Sequence, residues 1–249
     1  MKSSVVTEQR TFPTFIEQDW SAYGPEDHEV WKLLFNRRMH ALQNTASELF
    51  LQGAETIGLG EDSVPDILDV NHRLAGRTGW RAVGVAGFIP AGQFFRCLAV
   101  RRFPTTLRVR PKAQLDYLPE PDIFHDVFGH VPLHADPVFA DFLHRFGQLG
   151  DVCKSEEETQ ALARLFWFTV EFGLIREKGT TRVYGSGLIS SHEDAANALS
   201  DSCTRRPFSL SEVIGTSFRT DQIQPVLFEI ASFSDLFGAV EELAGQLQS

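Results

Sequence analysis

Two histidines, His125 and His130, stand five residues apart in the stretch PEPDIFHDVFGHVP, with Gly129 directly before the second and Pro132 shortly after it. Imidazole nitrogens ligate metal ions, which makes the pair a candidate metal site. On a regular α-helix a five-residue step turns the side chain through about 500°, leaving the two rings about 140° apart. A shared ion therefore predicts a helix that ends between them. Gly129 can take a left-handed cap conformation, and Val131, preceding Pro132, is expected outside the helical region. His130 would then return from a loop toward His125.

A third donor is offered by Glu171 in LFWFTVEFGLI, whose helical neighbours Trp167, Phe168, Leu174 and Ile175 all read as core. A carboxylate among such neighbours is costly unless it is paired or bound to a cation. Two readings stand at this point, an ion pair with a buried arginine and metal ligation. Two imidazoles and one carboxylate without a thiolate fit the facial triad of a non-haem iron(II) oxygenase or a His₂Glu zinc centre for hydrolysis. Donor type alone does not choose. The acidic run Glu156–Glu158 opens a helical pattern and reads as a solvated partner of the helix dipole.

The elements around these residues are mostly helical. From Pro25 to about Gly58, apolar residues Val30, Leu33, Leu34, Met39, Leu42, Leu49 and Phe50 recur at steps of three and four, which predicts one long amphipathic helix. VPDILDVNHRLAGRTG predicts a second, with Pro65 in its first turn and Gly76 at its stop. WRAVGVAGF reads as extended, PAGQFFRCLAVR as helix, and FPTTLRVR as a short strand. Between 135 and 178 two helices are expected, the second running on to a stop at Gly179. TRVYGSG reads as strand and turn, SHEDAANALSD as helix, and the remainder as one or two short helices. No repeat or linker divides the chain. The expectation is an arm over residues 1–18 and one mainly α domain, with a few short β-strands, over residues 19–249.

Bulk properties narrow the function. With 21 phenylalanines and 43% hydrophobic residues, the 249-residue chain can build a large core. A formal charge of −10 repels phosphate backbones and excludes nucleic acid as the main partner. Cys97, Cys153 and Cys203 are too scattered for a disulfide framework or a zinc ribbon. The opening MKSSVVTEQRTFPTF lacks the apolar segment of a signal peptide, and no apolar run is long enough to span a membrane. A cytoplasmic location is expected.

EPDIFHDVFGHVPL, WFTVEFGL and YGSGLISS, in this order, resemble the tetrahydropterin-dependent aromatic amino acid hydroxylases. YGPEDHEVWKLLFNRR and LAVRRFPTTLRVRPKAQLDYLPEPD upstream are most similar to the short bacterial phenylalanine hydroxylases. The resemblance covers nearly the whole chain, from about Asp19 to the region near Phe237. It implies a basket-like helical catalytic domain with Fe(II) held by His125, His130 and Glu171, and a tetrahydropterin co-substrate. The implied reaction hydroxylates L-phenylalanine to L-tyrosine with O₂. It also implies a monomer, since the regulatory domain and tetramerisation helix of animal members have no room here. The alternatives are hydroxylation of L-tryptophan or of another ring position, and, from another class, a zinc hydrolase.

Further roles follow from the resemblance, position by position. Arg110 matches the arginine that pairs with the substrate carboxylate, and Ser190 a residue assisting there. Tyr117 and Glu120 fall in the stretch lining the site, and Trp167 and Phe172 align with aromatic positions around the substrate ring. Phe94 matches the ring that stacks on the pterin, with Gly87, Phe88 and Ile89 as nearby backbone. Asp126 stands where animal members have glutamate, and Phe166 where a tyrosine is common. The aromatic at Trp167 leans toward phenylalanine over tryptophan as substrate.

Overall fold

The computed structural model describes residues 11–115, 120–153, 155–220 and 222–247, and it is mainly helical with short strands. Helix α1 (Pro25–Leu42) starts with proline in its first turn, and the Asp27 carboxylate accepts from the Gly24 amide at 2.8 Å. It buries Val30, Trp31, Leu34, Arg38 and Leu42, whereas Leu33 stays 41% exposed. The long helix expected here is two. Ala46 bridges to Val183, Ser47 N–H donates to the Val183 carbonyl, and Ser47 Oγ caps Phe50 N–H at the start of α2 (Glu48–Thr56). That backbone pairing outweighs the continuous apolar period.

Helix α3 (Ile67–Ala75) follows, capped by Asp66 and closed at Gly76, near the expected ends. Strand β1 (Phe15–Ile16) pairs antiparallel with β2 (Arg81–Val85), which pairs parallel with β3 (Arg102–Thr106), and α4 (Ala91–Leu98) makes the crossover. Helix α5 (Pro137–Val152) begins at the Asp136 cap, and α6 (Glu156–Phe166) at a reciprocal capping box between Ser155 and Glu158. The acidic run is thus partly a cap.

The second expected helix does not reach Gly179. Leu174–Glu177 is instead strand β4, paired antiparallel with β5 (Thr180–Val183). Lys178 and Gly179 both take positive φ, 51° and 80°, the two-residue turn that matches the twist of a hairpin. A short apolar run carries no period to separate helix from strand, and pairing decides. The short helix α7 (Ser186–Ser190) precedes α8 (His192–Leu199). Beyond them β6 (Thr204–Pro207) and β7 (Val226–Ile230) complete a sheet of order β5-β4-β7-β6, with α9 (Leu210–Gly215) between them and α10 (Ser234–Leu247) last. The tail therefore holds strands as well as the expected short helices.

Phenylalanine builds the core behind the histidines. Phe124 and Phe128 stack at 4.5 Å, and Trp31 and Phe50 meet them edge-on at 5.4 and 5.7 Å. Each such pair adds about 0.5–1.5 kcal/mol beyond area burial. They hold the histidine segment rigidly from one side. No helix among the described residues is long and apolar enough to cross a membrane.

Candidate active site

His125 and His130 converge, but not by a broken helix. Phe124–His130 is a π-helix, in which hydrogen bonds join residue i to i+5, so His130 returns over His125. The two imidazoles face each other edge-on, centroids 5.0 Å apart. Gly129 does not take a left-handed cap; among described glycines only Gly58, Gly79 and Gly179 have positive φ. Its missing side chain serves a close approach instead, since a Cβ there would stand 3.1 Å from the Ser186 carbonyl oxygen. Val131 also stays helical, φ −65° and ψ −30°, and starts a 3₁₀ turn (Val131–Ala135). Pro132 is tolerated because it lies in the first turn, where its lost N–H has no partner to miss.

Glu171 ends a second π-turn, Trp167–Glu171, closed by Phe172 N–H on the Trp167 carbonyl at 2.9 Å. Its Oε1 lies 3.2 Å from His130 Nε2 and its Oε2 3.7 Å from His125 Nε2. The three donor atoms fall within 4.8 Å of one another, the one such group of three among the described residues. Burial alone would raise the Glu171 pKa. The neighbouring histidines and the Ser186 hydroxyl outweigh it and hold the group at about 2, a carboxylate throughout the neutral range. Its partners are imidazoles and a hydroxyl, not the buried arginine of the alternative reading.

Helix α7 supports two of the three donors. Ser186 Oγ donates to Glu171 Oε2 at 2.8 Å. Ser190 Oγ donates to the Ser186 carbonyl at 2.8 Å and lies 2.8 Å from His125 Nδ1. A hydroxyl has one proton, and the carbonyl takes it, so His125 Nδ1 must be the donor in the second contact. His125 Nε2 then carries the lone pair, turned toward Glu171. Such a partner behind a ligating histidine fixes tautomer and ring orientation.

These donors open into a cavity of about 720 Å³. Arg110, Glu120, Trp167, Phe172 and Ser190 line it, as do Gly87, Phe88, Ile89, Phe94, Asp126 and Phe166. Tyr117 lies outside the described residues. Trp167 and Phe172 are five residues apart, and their rings meet at 4.7 Å, while Phe218 stacks on Trp167 at 4.5 Å. Phe94 meets Phe103 and Phe166 edge-on, and Phe88 is 74% exposed. Asp126 Oδ2 accepts from Thr106 N–H and Oγ1, while burial pushes its pKa up. Glu120 pairs with Arg108 at 3.2 Å and Arg110 with Asp122 at 2.8 Å.

Sequence reasoning passed over Asp122, Ser186, Thr106 and Phe218. Asp122 had a signal, an acid three residues before His125 and followed directly by the apolar pair Ile123 and Phe124. Ser186 and Thr106 had none, since their use depends on packing between distant segments.

The model of the biopterin-dependent aromatic amino acid hydroxylase family matches residues 19–249. The phenylalanine-4-hydroxylase of Chromobacterium violaceum is 44% identical over 225 residues, 90% of this chain and 76% of the relative. That of Caulobacter vibrioides is 41% identical over 235 residues, 91% of this chain and 80% of the relative. The crystal structure of the C. violaceum phenylalanine hydroxylase with bound iron(III) and oxidised 7,8-dihydrobiopterin is similar at a TM-score of 0.89 and 40% identity, covering 100% of this chain and 93% of that one.

Proposed function

The chain belongs to the biopterin-dependent aromatic amino acid hydroxylase family, and from that membership we propose that it is an iron- and tetrahydropterin-dependent phenylalanine 4-monooxygenase, converting L-phenylalanine to L-tyrosine with O₂. The observation that carries the reading is the convergence of His125 Nε2, His130 Nε2 and Glu171 on one corner of a largely apolar cavity. Two nitrogen donors and one carboxylate on one face, with no thiolate, suit iron(II) and leave positions free toward the cavity. Bound there, iron with the pterin would supply activation of O₂ for ring hydroxylation.

The protein's own share is placement and exclusion of water. We assign Arg110 to the amino acid carboxylate, Trp167 and Phe172 to its ring, and Glu120 to the lining on that side. Gly87, Phe88, Ile89, Phe94, Asp126 and Phe166 offer a mostly apolar wall with accessible backbone for a pterin. Ser190, whose proton is already given to Ser186, acts on His125 rather than as a donor to the substrate carboxylate. Holding the partners in reactive geometry supplies much of the rate.

Residues 19–249 form the catalytic domain in this reading, with residues 1–18 as an arm, of which Phe15–Ile16 pair with β2. The protein is read as a cytoplasmic monomer; three free cysteines accord with a reducing compartment. Sedimentation tests the oligomeric state. Fe(II)-loaded protein given a tetrahydropterin, O₂ and phenylalanine should form tyrosine and consume oxygen, with tryptophan turned over poorly. Zinc-supported hydrolysis without oxygen uptake would sink the proposal. Nothing in the comparisons supports that chemistry.

A further inference from the structure

Arg38 lies on α1, among Val30, Trp31, Leu34 and Leu42, and only 2% of its surface is exposed. Its neighbour in sequence, Arg37, is exposed, so the pair RR splits between core and surface. The buried guanidinium makes a two-point contact. Arg38 Nε donates to the Ile189 carbonyl at 2.7 Å and Nη2 to the Leu188 carbonyl at 2.9 Å, while Nη1 stands 3.5 Å from His192 Nδ1. Burial lowers its pKa to about 10, with Asp194 pulling the other way, so it keeps its charge at neutral pH.

Both carbonyls belong to α7, five residues long. A helix this short cannot hold itself in water, and the carbonyls of its last turn have no partners within it. A cation at that end meets both needs, because the guanidinium fork satisfies two carbonyls and opposes the negative end of the helix. Two bonds to adjacent peptide units fix the helix in rotation as well as in position. The same helix carries Ser186, bonded to Glu171, and Ser190, bonded to His125.

We propose that Arg38 is a positioning residue of the metal centre, clamping α7 so that Ser186 and Ser190 hold Glu171 and His125 in their ligating orientations. The inference rests on the reading of His125, His130 and Glu171 as metal ligands. Arg38 also borders the cavity but is not itself one of the three donors; its hydrogen bonds run to the short helix, and its effect on the metal passes through that helix. A buried charge adds little net stability and serves position instead. Loss of such support behind ligands typically weakens metal binding about 10–100-fold.

The test measures Co(II) affinity of the apo-protein by chelator competition, with no turnover involved. The variants are Arg38→Gln, Arg38→Lys, Glu171→Ala and Val30→Ala, the last a buried change on the same helix that leaves the clamp intact. Arg38→Gln should weaken Co(II) about 10–100-fold and Arg38→Lys by less, since it keeps the charge and part of the hydrogen bonding. Val30→Ala should lower Tm yet keep wild-type affinity. Wild-type affinity in both Arg38 variants, or an equal loss in Val30→Ala, would overturn the proposal. Should Arg38→Gln not fold, the comparison of Arg38→Lys with Val30→Ala decides alone. Undiminished Co(II) binding by Glu171→Ala would instead bring down the ligand assignment itself.

Discussion

Arg110 and Asp122 face each other edge to edge, Nε to Oδ2 at 2.8 Å and Nη2 to Oδ1 at 2.9 Å, with the carboxylate fully buried. Arg110 Nη1 also donates to the Leu115 carbonyl at 3.2 Å. Of the five guanidinium N–H groups, three are thus committed, and one remains on each terminal nitrogen. Those two form the fork suited to a substrate carboxylate. Asp122 is therefore what aims Arg110.

Replacing Asp122 by Asn should leave the arginine unpaired, cost about 3–5 kcal/mol of stability and raise KM for the amino acid far more than KM for the pterin. Steady-state kinetics with each substrate varied in turn checks this, and equal changes would remove Arg110 from the assigned role. Burial works to raise the Asp122 pKa, but hydrogen bonds and charge from Arg110 leave it below the usual 3.8. A depressed acid contributes stability above its unfolded pKa and loses it as pH falls through the folded one. Asp122→Asn should flatten that acid limb in denaturation midpoints taken below pH 4.

His134 is buried, stacked on Trp80 at 4.7 Å and 4°, and its Nε2 has no hydrogen-bond partner. Burial holds its pKa well below the ordinary 6.5, so the folded protein keeps it neutral. The unfolded chain takes up a proton below pH 6.5, and this residue's stability contribution is present above that pH and lost beneath it, by up to about 1.4 kcal/mol per pH unit. His134→Phe keeps a ring on Trp80 and removes the dependence. Urea midpoints at pH 7.5 and 5.5 should differ less in the variant than in the parent.

Gly53 on α2 touches the 3₁₀ turn that follows His130. A Cβ at Gly53 would lie 2.1 Å from the Pro132 carbonyl oxygen, so one of the two elements must move. Gly53→Ala should cost about 1–3 kcal/mol by thermal denaturation. Because the displaced turn begins at Val131, the variant should also bind metal more weakly. An unchanged Tm would show that the contact relaxes freely.

Phe88 lines the cavity yet is 74% exposed, an apolar ring held in water at the mouth. Its removal costs little in the empty protein. Phe88→Ala should leave folding stability within about 0.5 kcal/mol of the parent and raise KM for the tetrahydropterin several-fold. An unchanged pterin KM would dismiss it from that wall.

The three candidate metal donors stood out in the sequence on two grounds, the histidines by their spacing and Glu171 as a carboxylate among core residues. Their route to convergence did not. An α-ladder and a π-ladder use the same residue types, and the choice between them is made by packing, here the Phe124–Phe128 stack and the approach of Gly129 to Ser186. Leu174–Glu177 was misread for a related reason, since its strand exists only through β5 and β7. Arg38 carried no signal of its own in the sequence. Only the fold shows that one of two adjacent arginines points inward, toward carbonyls some 150 residues away in sequence.

Both π-turns bring residues five apart onto one side, where an α-helix would leave them about 140° apart. Deleting a single residue of Trp167–Glu171, Val170 for example, abolishes the closure of Phe172 N–H on the Trp167 carbonyl and with it the turn that presents Glu171. The carboxylate then leaves the histidines, although every chemical group of the centre survives. Loss of one codon, with no side chain exchanged, is enough to silence this catalyst.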